Sequence, residues 1–171
     1  MTNYISRSKG FTLIELMVTL GIASIVLGLA APAMRDMVQN SRITSQANEL
    51  LASLGMARSE AVKRGTPVSI CRSANLLTCS GGAGSWADGW ILFDDLNGNG
   101  AVNAGETVLR VRQELSGNPT LSGPAPVTYQ PSGLVNAPAT FTHTIPGCSG
   151  DQGRTITLNA TGRAMVTRQS C

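Results

Sequence analysis

The apolar positions fall into two regimes. From Phe11 to Met34 the chain is almost continuously apolar, FTLIELMVTLGIASIVLGLAAPAM, and Glu15 is its single charge. About 20 apolar residues span a hydrocarbon core about 30 Å thick, so this run has the length of a membrane-crossing helix. From Arg35 to Arg64 the pattern turns periodic. Ala47, Leu50, Leu51, Leu54, Ala57 and Ala61 recur at steps of three and four, which lines them on one helix face. Gly55 is the one Gly of that stretch, it holds no Pro, and Gly65-Thr66-Pro67 ends it. The pattern predicts one helix over Phe11–Arg64, roughly 80 Å long at about 1.5 Å per residue, with a bend at Pro32.

Beyond Pro67 the apolar residues come in short runs and alternations. Strands are predicted at Pro67–Cys71, Trp90–Phe93, Thr107–Arg112, Val127–Tyr129, Ala139–Thr142 and Thr155–Leu158, with Gly, Pro, Asn and Ser between them. That spacing is the spacing of an antiparallel sheet. A long helix laid on a small antiparallel sheet is an α+β arrangement.

Composition narrows the classes. The chain has 171 residues, 42% apolar and only 13% charged; the usual charged share is about 25%. Disorder needs low hydrophobicity and high net charge, so this chain folds. A net charge of +3 is too small for a bulk-charge nucleic-acid binder. No G-x-S-x-G, H-E-x-x-H or phosphate loop is present. The single His, His143, lies in a predicted strand and reads as structural, so no enzyme activity is expected.

One string is more specific than composition. Lys9-Gly10-Phe11-Thr12-Leu13-Ile14-Glu15-Leu16 follows a short leader whose charges are Arg7 and Lys9. It resembles the leader junction of type IV pilins and type II secretion pseudopilins. The resemblance implies cleavage by a prepilin peptidase after Gly10 and N-methylation of Phe11. It also assigns Glu15 to assembly, opposite the cationic N-terminus of a neighbouring subunit. A lone carboxylate in an apolar run is costly in lipid and usually has a partner.

Further strings resemble the GspH/FimT/FimU group of minor pilins and pseudopilins. They are Asn48-Glu49-Leu50, Ala57-Arg58-Ser59-Glu60-Ala61, Gly89-Trp90-Ile91-Leu92-Phe93-Asp94 and Gly153-Arg154-Thr155-Ile156. The resemblance implies a pilin-like fold in three parts: a leader over 1–10, a membrane or filament-core half-helix over 11–34, and an exterior domain over 35–171. It implies a low-copy minor type IV pilin that helps start or cap a pilus, with other major and minor pilins as partners. The alternative is an H-type pseudopilin of a type II secretion system. Either would be a single-pass inner-membrane protein with its domain in the periplasm, and a pilin would end at the cell surface.

Such a domain reaches an oxidising compartment, where Cys71, Cys79, Cys148 and Cys171 are expected to form disulfides. Three pairings are open; Cys71–Cys79 with Cys148–Cys171 is preferred. The spacings lack the CxxC pairs that zinc sites favour.

Two surface features remain. Asp95, Asn97, Asn99, Gly100 and Glu106 fit the D-x-[DN]-x-[DN]-G-x5-E pattern of a calcium loop, with Asp95, Asn97, Asn99 and Glu106 as candidate ligands. The same Asn-Gly repeats are favoured hairpin-turn chemistry, and the flanks read as strands. No other cofactor is expected. From Leu115 onward the full charges are Asp151, Arg154, Arg163 and Arg168. Planar guanidinium groups suit phosphate. FimT-like minor pilins bind DNA through a C-terminal Gly-Arg-x-Arg stretch. Here Gly162-Arg163 matches its first half, and Met165 stands where the second Arg belongs. Arg154, Gly162, Arg163 and Arg168 are therefore the candidate contacts to double-stranded DNA. The opposing reading is that these arginines solubilise a nearly uncharged sheet.

Overall fold

A computed structural model describes residues 10–81 and 84–171, with side chains for all of these except 31–33. The leader through Lys9 and the bend expected at Pro32 lie outside what is described. The first helix, α1, runs Leu13–Arg64. It is followed by β1 (Val68–Arg72), β2 (Trp90–Asp94), β3 (Val108–Arg112), β4 (Thr120–Ser122), β5 (Val127–Tyr129), β6 (Ala139–Thr144), β7 (Gly153–Leu158) and β8 (Ala164–Gln169). The chain divides into a first unit that ends at Val38 and a second, Gln39–Cys171.

In the first unit α1 begins two residues after the expected Phe11. Thr12 is the reason. Its Oγ1 accepts the Glu15 N–H (3.3 Å), and Glu15 Oε2 accepts the Thr12 N–H (3.5 Å). This reciprocal pair caps two otherwise unpaired donors of the first turn. The helix then presents its apolar residues outward: Leu13, Ile14, Met17, Leu20, Ile25 and Leu29 are each more than half exposed.

In the second unit the same helix is amphipathic. Ala47, Leu50, Leu54, Ala57 and Ala61 are fully buried, as their spacing predicts, and Leu51 is half-buried at the margin. Gly65, at φ +70°, ends the helix, and its N–H reaches the Ala61 carbonyl (3.0 Å).

Two four-stranded antiparallel sheets form, where one was expected. Their orders are β3-β2-β1-β5 and β4-β6-β7-β8. Both contribute to one core with α1, where Trp86, Trp90, Tyr129 and Phe141 are the largest buried side chains. Trp86 stacks edge-on against Phe141 with ring centroids 5.2 Å apart. In β1 and β2 burial is continuous rather than alternating. Val68, Ile70, Trp90 and Leu92 join the helix-side core; Cys71, Ile91 and Phe93 form a second cluster with Leu76, Cys79, Val102 and Val108. The connecting loops thus cover the far face of that sheet.

The structure joins Cys71 to Cys79 and Cys148 to Cys171, the preferred pairing. The first closes the β1–β2 loop, where Arg72 also donates to the Gly81 (3.0 Å) and Gly84 (2.9 Å) carbonyls. The second fastens the last residue beside the turn that enters β7.

Candidate functional site

The sequence-predicted residues fall into three separate places. The first is the start of the chain. Gly10 is exposed, Phe11 is 84% exposed and Glu15 is exposed. Glu15 makes the capping contact above, and no cation partners it among the described residues. The Thr12-x-x-Glu15 spacing carries the capping signal, which the reading of Glu15 as an assembly carboxylate passes over.

The second place is the loop joining β2 to β3. Asp95, Asn97, Asn99 and Glu106 do come together there, and at least one oxygen of each already accepts a nearby donor, while Glu106 Oε1 is buried without a partner. Asp95 is fully buried; it accepts from the Asn99 N–H (2.9 Å), the Gly100 N–H (2.9 Å) and Ser69 Oγ (2.6 Å). Asn97 Oδ1 accepts the Asn99 N–H (3.0 Å), Asn99 Oδ1 the Ala101 N–H (2.8 Å), and Glu106 Oε2 the Asn103 N–H (2.8 Å). Among the described residues no group of three or more acidic, His or Cys side chains is placed to hold a metal ion. The arrangement is that of a turn which caps itself through Asx contacts.

The third place is the β7–β8 hairpin. Arg154 in β7 is 5% exposed and turns inward. Its Nη1 donates to the carbonyls of Gln152 (2.6 Å) and Gly153 (2.9 Å), and its Nη2 to Asn40 Oδ1 (2.7 Å) and Thr44 Oγ1 (2.8 Å). Burial pushes its pKa down, and the charge of Arg168 adds to this. A guanidinium so placed fastens β7 to α1 and is not presented to a phosphate. Residues 154, 156 and 158 share strand parity, so the period of two already sets Arg154 with inward Ile156 and Leu158. Nothing local marked Asn40 and Thr44 as its acceptors.

Gly162 has φ +76°, a conformation L side chains rarely adopt, and any Cβ there would collide with the Gly133 carbonyl oxygen. Its need is structural. Arg163 is exposed at the mouth of the hairpin, whose turn is closed by the Asn159 N–H to the Arg163 carbonyl (3.1 Å) and by the Arg163 N–H to Asn159 Oδ1 (2.9 Å). Arg168 pairs directly with Arg154 across β7 and β8. Cross-strand partners share a face, so Arg163 and Arg168 lie on opposite faces, about 16 Å apart at 3.3 Å per residue. The ion pairs among the described residues are Arg64–Glu60, Arg64–Asp94 and Arg112–Glu49, so Arg163 and Arg168 have no carboxylate partner.

His143 is fully buried. Its Nδ1 faces the Thr120 carbonyl (3.3 Å) and its Nε2 faces Gln46 Oε1 (3.1 Å), with Gln46 Nε2 donating to the Ser116 carbonyl (2.8 Å). It ties α1 to the edge of the second sheet, the structural place expected for it.

The family described as "Type II transport protein GspH" matches residues 46–162, and the "Prokaryotic N-terminal methylation motif" matches residues 5–31. The "Pilin-like protein PilA1" of Thermus thermophilus is 30% identical over 168 residues, covering 92% of this chain and 97% of that one. The fold is similar to the type IV minor pilin FimU of Pseudomonas aeruginosa. One crystal form gives a TM-score of 0.58 at 23% identity, covering 79% of this chain and 98% of that one. A second gives 0.54 at 24% identity, covering 75% and 98%.

Proposed function

We propose a filament role for this chain, which belongs to the GspH family and carries the N-terminal methylation motif: it is a minor type IV pilin, present in few copies and helping to start or cap a pilus. The observation that carries this reading is the first half of α1. It is long and apolar enough to cross a membrane, and none of its apolar window is buried within the protein. So large an uncovered apolar surface needs lipid before assembly and neighbouring helices after it. Cleavage after Gly10 would free the Phe11 amine for methylation, and Glu15 would meet that amine on an adjacent subunit. The parts of the chain on this reading are a leader over 1–10, a membrane or filament-core segment over 11–34, and an exterior domain over 35–171.

Its test is processing. Coexpressed with a prepilin peptidase, the wild-type chain should lose ten residues and gain a methyl group on Phe11, whereas Gly10→Val should stay full length. Unchanged processing of that variant would contradict the reading.

Two finer readings have specific support. The exposed, unpaired Arg163 and Arg168 favour contact with duplex DNA. Such contact would be phosphate-led and salt-sensitive, without base stacking. Weakened binding of the Arg163→Ala/Arg168→Ala double variant tests it. The family's description favours an H-type pseudopilin of type II secretion instead. Deletion separates the two: loss of pili speaks for the first, loss of secreted protein for the second.

A further inference from the structure

The outer strands of the two sheets are β3, β5, β4 and β8, and the chain itself blunts the first three. β4 is covered by a short 3-10 helix at Trp86–Asp88. Ser85 Oγ donates to the Leu121 carbonyl (3.2 Å) and Trp86 Nε1 to the Gly123 carbonyl (3.4 Å). β5 is covered by the turn that follows it, where the Asn136 N–H reaches the Thr128 carbonyl (3.2 Å) and Val135 bridges Tyr129. β3 carries an extra residue, Leu109, opposite Leu92 and Phe93, a bulge of the kind that blunts an edge. β8 has none of these devices. It is six residues long without Pro, pairs with β7 in unbroken register, and none of its residues is buried. Among the described residues no strand lies beyond it.

The hairpin fixes which backbone groups of β8 point outward. The Asn159 N–H donates to the Arg163 carbonyl, so this is a hydrogen-bonded pair. In an antiparallel ladder such pairs alternate with pairs whose groups turn away from each other. Met165, Thr167 and Gln169 therefore bond to β7, while Ala164, Val166 and Arg168 aim their N–H and C=O groups away from it. That row of free donors and acceptors is the template an added strand completes. A guanidinium stands at each end of the row. Arg163 and Arg168 are exposed, with no carboxylate within ion-pair distance among the described residues. Met165, 55% exposed, lies between them and shares the strand parity of Arg163.

We propose that β8 is a docking edge for an extended acidic segment of another filament subunit, which adds antiparallel to β8 and lengthens its sheet. That the segment comes from a filament subunit rests on the reading given under Proposed function; the geometry and charge of the edge are independent of it. Cross-strand partners share a face, so the segment needs carboxylates opposite Arg168 and Arg163 and an apolar side chain opposite Met165. In chain order that is acidic-x-x-apolar-x-acidic. A second copy of this chain fits poorly: β8 against β8 brings the Arg163 and Arg168 of both copies to one ladder with no carboxylate on either strand. Duplex DNA would use the guanidiniums and leave the backbone row unfilled.

The test uses the full chain in neutral detergent, titrated with the end-blocked peptide Thr-Glu-Val-Thr-Leu-Thr-Glu-Thr. In the proposed register its fourth residue lies opposite Val166 and its fifth opposite Met165. An N-methyl group on the fourth residue removes a ladder bond and should weaken binding at least about tenfold. On the fifth residue, whose N–H points away from β8, it should change binding less than about twofold. Arg163→Gln/Arg168→Gln should weaken binding about three- to tenfold. In NMR the Ala164, Val166 and Arg168 amides should exchange more slowly once the peptide is bound. No saturable binding overturns the proposal, and so does binding that both N-methyl groups affect equally. Duplex DNA that binds where the peptide does not also overturns it and leaves the DNA reading in place. Protection of those amides in the chain alone, rising with protein concentration, assigns the edge to a second copy and overturns the acidic segment. If the peptide binds as expected but the wild-type chain is not processed at Gly10, the edge stands and only the filament subunit as its source falls.

Discussion

Arg154 and Arg168 stand directly opposite each other on β7 and β8, yet the first is buried on four oxygens and the second faces solvent. The difference is position: β7 is an inner strand of its sheet and β8 the edge. Two like charges on adjacent strands are tolerated because the buried one is surrounded by carbonyl, amide and hydroxyl oxygens. Removing it leaves those acceptors unpaired. Arg154→Met should lower the stability of the Gln39–Cys171 unit by about 2–4 kcal/mol, read as the denaturant midpoint. Arg168→Met should cost under about 0.5 kcal/mol in the same assay, the usual surface value.

The two disulfides close loops of different length, 8 and 23 residues apart in sequence. On loop-closure grounds, Cys148→Ser/Cys171→Ser should cost about 3.4 kcal/mol and Cys71→Ser/Cys79→Ser about 2.5. Their effects should also differ in place. Loss of the longer bridge should speed hydrogen exchange at the C-terminal end of β8, because beyond the Gly153–Gln169 pair the Cys171 N–H to Gly150 carbonyl bond (2.9 Å) would be what still holds the chain end.

His143 gives stability a pH dependence of known sign. Burial holds its pKa below the ordinary 6.5, with the charge of Arg154 acting the same way and the Thr120 carbonyl opposing. The unfolded chain therefore takes up a proton that the folded chain resists. Stability is full above about pH 6.5 and falls as pH drops from there toward the lowered folded pKa. Equilibrium unfolding at pH 7.5 and pH 5 should show this loss. His143→Gln should flatten the curve over that interval, and an unaltered slope in the variant would assign the effect elsewhere.

The β2–β3 loop is closed by its own hydrogen bonds. Asp95, Asn97, Asn99 and Glu106 already accept backbone N–H groups, so millimolar calcium should leave the melting temperature unchanged and give no titration heat. Asp95→Ala should destabilise by about 1–3 kcal/mol, since it removes three hydrogen bonds in a buried place and leaves the Gly100 N–H without an acceptor.

Much of the architecture is legible in the sequence because it is local. The helix face of Ala47, Leu50, Leu54, Ala57 and Ala61 follows from steps of three and four, and six strands fall at their expected sites within a few residues. β4 and β8 have no counterpart among the predicted strands. β4 is Thr-Leu-Ser, with one apolar residue between two small polar ones in a Gly- and Pro-rich stretch that reads as loop. β8 reads Ala-Met-Val-Thr-Arg-Gln, the mixed pattern of an edge strand whose outward residues meet water. The split into two sheets depends on pairings between distant strands, which no local pattern encodes. The same holds at the candidate sites. The Thr12–Glu15 cap is readable at a spacing of three, whereas Arg154 with Asn40 joins residues 114 positions apart.

On the filament reading proposed above, the exposed apolar half of α1 is an assembly surface and Glu15 its one charged contact. The most direct measurement is the amount and mass of this chain in filaments sheared from cells carrying wild-type or Glu15→Ala protein. Wild-type subunits should begin at a methylated Phe11, and the Glu15→Ala form should be cut normally but depleted at least tenfold in filaments. A wild-type chain absent from filaments, or Glu15→Ala incorporated as well as wild type, would contradict that reading.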